Sequence, residues 1–181
     1  MSQQDMVEKI LYTKEEIAAR VEQLGAAITR DYAGQEVAIV CVLKGAALFA
    51  SDLIRSIDLP LSIGFMYVSS YGSGTKSSGH VQIVKDLDIS VEGKHVIIAE
   101  DVVDSGNTLS FLLDYLKGKQ AAAVDVCAIF DKPSRRVVPV EVKYTGFEIP
   151  DEFVIGYGLD YGEKFRNLPY LGVLKRSVYE E

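Results

Sequence analysis

The sequence predicts an α/β protein: a mostly parallel central sheet flanked by helices, with a small C-terminal hood region. Three observations carry this. EVAIVCVL (36–43), HVIIAE (95–100) and AAAVDVCAIF (121–130) are nearly continuous apolar runs of strand length, as in strands buried on both faces. Segments with helical spacing alternate with them, which implies right-handed crossovers. The polar, chemistry-bearing residues cluster just beyond the runs, where open α/β sheets collect ligands.

Taken in order, residues 13–33 read as an amphipathic helix, with Ile17, Val21, Leu24 and Ile28 on one stripe. Thr13 and Glu16 form a capping box at its start, and Gly34 a stop. A strand at 36–43 follows, then a helix at 46–57, where Leu48, Phe49 and Leu53 suit either an interface or the core. LSIGFMYVSSY (61–71) is β-branched and aromatic, hence a strand, and GSGTKSSG (72–79) is a loop. HVQIVKDLD (80–88) alternates like a half-exposed strand. Strand 95–100 leads through a turn to a helix at 108–117, and strand 121–130 comes next. Shorter strands are expected at 138–144, 152–157 and 171–174. No repeat or linker divides the 181 residues, so one domain over 1–181 is expected.

The hydrophobic fraction of 48% and charged fraction of 25% suit a globular protein rather than a disordered one. No apolar run is long enough for a membrane span, and the first residues lack a basic and then apolar leader. A net charge of −7 disfavours nucleic acid as a partner but leaves room for a small anion held by local donors. Cys41 and Cys127 lie inside apolar runs and read as buried free thiols, so a reducing, cytoplasmic setting is expected.

In VIIAEDVVDSGNTLS (96–110) a buried strand ends in three carboxylates and a small-residue turn. The amides of Ser105, Gly106, Asn107, Thr108 and Leu109 would open a helix, and unpaired N–H groups with the helix dipole favour an anion such as a phosphate monoester. Glu100 and Asp101 could bind ribose hydroxyls or Mg²⁺. A helix cap would account for one of these acidic residues, not for Glu100, Asp101 and Asp104 together. LKG (43–45) ends another buried strand before a helix, so Lys44 and Gly45 read as an ordinary βα turn or as a second anion site, which beside the first would suit a ligand with two separated phosphate groups. SSYGSGTKSSG (69–79) lacks the lysine placement and following helix of a nucleotide P-loop; it reads as a lid with Tyr71 at its base, or as a hairpin tip. Lys132 follows a buried strand end, and EFVIGYGLDYGEKFR (152–166) brings Phe153, Asp160 and Arg166. An aromatic face, a lysine ammonium and backbone groups suit a flat heterocycle bearing a carbonyl, whereas singly Phe153 reads as core, Lys132 as a solvated charge and Arg166 as a surface pair.

IIAEDVVDSGNTL resembles the phosphoribosyl pyrophosphate motif of type I phosphoribosyltransferases. LKG, SSYGSGTKSSG, DKPSRR and FEIPDEFVIGYGLDYGEKFRNLPYLGVL are similar to the bacterial hypoxanthine phosphoribosyltransferases, in the same order from about residue 8 to 178. The resemblance implies the type I phosphoribosyltransferase fold and purine salvage, with phosphoribosyl pyrophosphate and a 6-oxopurine as substrates, Mg²⁺ as cofactor and a homodimer or homotetramer. It implies that Ser105–Leu109 cradle the 5′-phosphate, that Glu100 and Asp101 hold the ribose and its Mg²⁺, and that Lys44, Gly45 and Arg166 meet the pyrophosphate, with a cis Leu43–Lys44 peptide. Asp104 would be the catalytic base. Lys132 would bind the 6-oxo group, Phe153 would stack on the ring, the Val154 backbone would meet its edge and Asp160 would hold a second Mg²⁺. Ser70 and Tyr71 would belong to the lid. Ser105 stands where threonine is commoner in the family, and the hydroxyl is kept. Preference among hypoxanthine, guanine and xanthine stays open. A regulator that binds phosphoribosyl pyrophosphate without chemistry would need a nucleic-acid surface, and none is visible.

Overall fold

The computed structural model describes residues 2–70 and 81–180. Its elements are β1 (Val7–Tyr12), α1 (Lys14–Asp31), β2 (Val37–Leu43), α2 (Ala47–Ser56), β3 (Leu61–Ser70), β4 (Val81–Lys85), β5 (His95–Val103), α3 (Asn107–Gly118), β6 (Ala123–Asp131), β7 (Tyr144–Glu148), β8 (Val154–Ile155), β9 (Leu171–Leu174) and α4 (Arg176–Tyr179). The main sheet runs β4-β3-β2-β5-β6-β7, parallel except for the edge strand β4. From β2 the chain crosses through α2 to β3 on one side, and from β5 through α3 to β6 on the other. The strand order therefore reverses between β2 and β5, and a crevice opens at their carboxyl ends.

The continuous apolar runs serve two cores because successive side chains point to opposite faces. Ile39, Cys41, Ile97, Ala99, Cys127 and Ile129 pack beneath α1 and α2. Ala38, Val40, Val96, Ile98, Val126 and Ala128 pack beneath Leu109, Leu112 and Leu116 of α3. Phe49 and Leu53 are fully buried, which places them in the core rather than at an interface; Leu48 is exposed. The expected capping box of α1 is present: Thr13 Oγ1 accepts from the Glu16 amide and the Glu16 carboxylate accepts from the Thr13 amide. Gly34, just past the helix, adopts φ +78°. Both cysteines are buried and free, and burial, helped by the Glu100 charge, pushes the Cys41 thiol up to about 12.

Four expectations need correction. The hood is not C-terminal alone: its sheet runs β1-β9-β8, so the N-terminal strand β1 completes it by pairing antiparallel with β9. Residues 138–143 form no strand; the Val137 and Val138 amides donate to Ser105 O instead, Pro139 lacks a donor, and the strand begins at Tyr144. β5 continues past residue 100 to Val103, so Asp101 joins Glu100 within the strand rather than opening the turn. β8 keeps only two residues of 152–157, because Gly156 and Tyr157 turn away with positive φ.

Candidate active site

The βα turns after β2 and β5 face each other across the crevice. Gly106 takes φ +88° and caps α3, and a Cβ there would sit 2.5 Å from Val138 O. Only glycine fits without strain. No described residue accepts from the amides of Ser105, Gly106, Thr108 or Leu109. The Asn107 amide points at Ser105 Oγ, 3.4 Å away. Free amides at a helix start make a ready anion site. They border a cavity of about 90 Å³ lined by Glu100, Val102, Val103, Asp104, Ser105, Gly106, Thr108 and Leu109.

Glu100 is buried beside Asp101, and its Oε2 has no partner among the described residues. Burial, with the neighbouring Asp101 charge added, pushes the Glu100 carboxyl well above the usual range. Burial also raises Asp101, although its Oδ1 accepts from the Val102 amide and Arg166 lends opposing charge. Two adjacent buried carboxyl groups, with Glu100 Oε2 left without a partner among the described residues, fit a dication or a diol. Mg²⁺ commonly takes one or two protein carboxylates and finishes its shell with substrate oxygens and water. Accordingly, no group of three His, Cys, Asp or Glu side chains is poised for a metal among the described residues. Asp160 does not join the other two: its Oδ1 pairs with Arg166 Nη2 at 2.9 Å, and its Oδ2 accepts from the Glu163 amide.

The Leu43–Lys44 peptide is cis. A Cβ on Gly45 would lie 1.6 Å from Asp101 Oδ2, and one on Gly158 would lie 2.0 Å from Gly45 O. Two glycines thus let the hood loop, the β2 turn and β5 touch. Arg166 Nη1 donates to Gly158 O at 2.7 Å, which holds the guanidinium at this junction. Glu163 Oε2 lies 2.9 Å from Lys44 Nζ, and its Oε1 lies 3.2 Å from Arg166 Nη2. One carboxylate therefore bridges the two cations expected to meet a pyrophosphate.

The remaining residues converge on a cavity of about 470 Å³ lined by Val102, Asp104, Lys132, Arg135, Asp151, Glu152, Phe153, Val154, Leu159 and Tyr179. Lys132 is buried, and its Nζ donates to Glu152 O at 2.8 Å. Burial lowers its ammonium pKa, against the charges of Asp104 and Asp151. The Phe153 ring is half-exposed and stacks on Tyr179 at an interplanar angle of 24°, with centroids 4.9 Å apart. The Leu174 amide donates to Phe153 O, so Val154, opposite Val173, falls at a non-bonded position of the ladder. Its backbone groups face away from β9 while the residue lines the cavity.

Asp104 borders both cavities. Arg135 Nε lies 2.8 Å from its Oδ1 but is not aimed along a hydrogen bond, so this is a charge contact. Arg135 is exposed and also reaches Asp151. Of the lid expected over 69–79, Ser69 and Ser70 end β3, while Tyr71 and 72–79 lie outside the described residues. A larger groove of about 670 Å³ between α1, α2 and residues 157–169 is lined by none of the expected site residues. Sequence reasoning missed Arg136, Glu163, Gly158 and Tyr179; the double arginine of DKPSRR was the one visible signal among them.

The phosphoribosyl transferase domain model matches residues 8–162. The chain is 49% identical to the hypoxanthine-guanine phosphoribosyltransferase of Streptococcus thermophilus over 97% of each chain. It is 50% identical to that of Bacillus subtilis over 96% of this chain and 97% of the relative. A crystal structure of the Staphylococcus aureus hypoxanthine phosphoribosyltransferase superposes with a TM-score of 0.95 at 48% identity, covering 98% of this chain and 97% of the other. The chain belongs to the phosphoribosyltransferase family, in its hypoxanthine-guanine branch.

Proposed function

We propose that residues 1–181 work as one purine-salvage unit that transfers the 5-phosphoribosyl group from phosphoribosyl pyrophosphate to N9 of hypoxanthine, and of guanine, giving the nucleotide and pyrophosphate. The observation that carries this is the position of Asp104 at the seam of two cavities, one ringed by free amides and the other by Lys132, Phe153 and the Val154 backbone. The first suits a sugar phosphate and the second a flat 6-oxo ring, so the carboxylate stands where ribose and base would join.

The N9–C1′ bond forms as the C1′–O bond to pyrophosphate breaks, with inversion. Little covalent work falls to the protein, and positioning with electrostatic stabilisation carries the barrier reduction. Asp104 takes the purine N7 proton as N9 attacks. Lys132 donates to the 6-oxo group, and Phe153 holds the ring plane. The 105–109 amides hold the 5′-phosphate, and Glu100 and Asp101 hold the ribose hydroxyls. Lys44, Gly45 and Arg166 receive the pyrophosphate. Mg²⁺, when bound, would be held by Glu100 and Asp101, with Asp160 for a second ion, and would neutralise charge on the leaving pyrophosphate. Ser70 and Tyr71 would close over the reactants. The enzyme would act in the cytoplasm as a homodimer or homotetramer; no described helix is long and apolar enough to cross a membrane.

Competitive turnover of hypoxanthine, guanine and xanthine with phosphoribosyl pyrophosphate and Mg²⁺, with products identified by mass, tests the assignment. Inosine and guanosine monophosphates are expected. Formation of neither would refute it.

A further inference from the structure

The reaction as written gives no role to Arg136. Its side chain is only 18% exposed, and both Nη atoms are engaged. Nη1 donates to Asp104 O at 2.8 Å, and Nη2 pairs with Asp131 Oδ1, whose side chain is 11% exposed. Neighbouring amides extend the grip. Lys132 N donates to Val103 O, and Val137 N and Val138 N both donate to Ser105 O, each at 2.9 Å. The segment 132–138 therefore holds three successive carbonyls, those of residues 103, 104 and 105.

A trans peptide unit points its C=O and N–H in opposite directions. Holding Asp104 O and Ser105 O on the 132–138 side turns the amides of Ser105 and Gly106 the other way. Those amides have no acceptor among the described residues. Gly106 lets the approach happen: besides Val138 O, its absent Cβ would meet Arg136 Cδ at 3.2 Å. A planar fork with donors in fixed directions meets a carboxylate and a carbonyl at once in one geometry, which the rotatable donors of a lysine on its flexible stem do not fix.

We infer that Arg136, locked by Asp131, is a positioning residue that aims the Ser105–Gly106 amides at the 5′-phosphate and sets the Asp104 carboxylate at the seam of the two cavities. The inference rests on the reading of that turn as the phosphoribosyl end. It also ties that end to the purine end, because Lys132 and Arg136 belong to one short segment. Arg135 contrasts with its neighbour: it meets the Asp104 carboxylate from an exposed position, whereas Arg136 meets the carbonyl from an enclosed one.

The test compares the parent protein with Arg136→Lys and Asp131→Asn in two measurements. In the first, hydrogen exchange of the Lys132, Val137 and Val138 amides, which donate to Val103 O and Ser105 O, should accelerate by about tenfold in folded Arg136→Lys and by less in Asp131→Asn. In the second, rates per folded site should show KM for phosphoribosyl pyrophosphate rising, and kcat falling, by about tenfold while KM for hypoxanthine stays within about twofold. A purely structural arginine would lower the folded fraction without splitting the two KM values. Unchanged exchange together with an unchanged KM for phosphoribosyl pyrophosphate would overturn the inference. If the parent forms no nucleotide, the functional reading falls and hydrogen exchange alone decides the clamp. Asp131→Asn carries the same test where Arg136→Lys does not fold.

Discussion

The two ends of the crevice are built from different materials. The end at Ser105–Leu109 is made of backbone: amides opening α3, a glycine at φ +88°, and carbonyls held from 132–138. The end around Lys132, Phe153 and Val154 is made chiefly of side chains carried on several elements and on the hood. A backbone end can grip a group common to every reaction cycle, because its donors are fixed and any side chain added there would intrude. A side-chain end can choose among ligands, because exchanging one residue alters one contact. Asp104 belongs to both ends, and its loss should be the most costly.

Asp104→Asn should lower kcat by at least about a hundredfold while the protein stays folded, since general acid–base help is worth roughly 10²–10⁴-fold. Steady-state rates beside a thermal melt check this, and near-normal turnover would remove Asp104 from the chemistry. Lys132→Ala breaks the side-chain end alone. A hydrogen bond from a charged donor contributes about 1.5–3 kcal/mol, so KM for hypoxanthine should rise by roughly 10- to 100-fold, with KM for phosphoribosyl pyrophosphate little changed. Initial-rate matrices in both substrates read this split. Gly106→Ala is the mirror experiment: placing a side chain at a left-handed position costs about 1–2 kcal/mol, so affinity for phosphoribosyl pyrophosphate should fall by about tenfold and affinity for the purine should not. Calorimetry with each substrate separates the two. Glu163→Gln should have the smallest effect. It removes an exposed bridge between Lys44 and Arg166, solvent screens such pairs strongly, and product inhibition by pyrophosphate should tighten by only about twofold.

The same division decides what the sequence could reveal. The Glu100–Leu109 stretch is a local pattern, in which strand, carboxylates, glycine and helix start follow one another, and the structure assembles them in that order. Glycine at 106 is demanded by its own φ and by the approach of Val138, and only the first of these is a property of the local chain. β1 was invisible because VEKILY carries two charges in six residues and owes its strand conformation to pairing with β9, more than 150 residues away. The stretch 138–144 misled for the converse reason: its valines look like a strand, but the two amides at 137 and 138 are committed to Ser105. Phe49 and Leu53 could not be divided between core and interface until α2 was seen against β2 and α1. Glu163 and Tyr179 draw their roles from Lys44 and Phe153, which nothing in their local sequence announces, and Arg136 was signalled only by the double arginine, its grip on Asp104 O being a longer-range contact.

The claim that one end grips a phosphoribosyl group while the other presents a purine to it is tested most directly by pyrophosphate release from phosphoribosyl pyrophosphate in the presence of Mg²⁺, with and without hypoxanthine. The account predicts release that requires hypoxanthine and matches inosine monophosphate formation mole for mole. Tight binding of phosphoribosyl pyrophosphate with no release on adding hypoxanthine or guanine would contradict it.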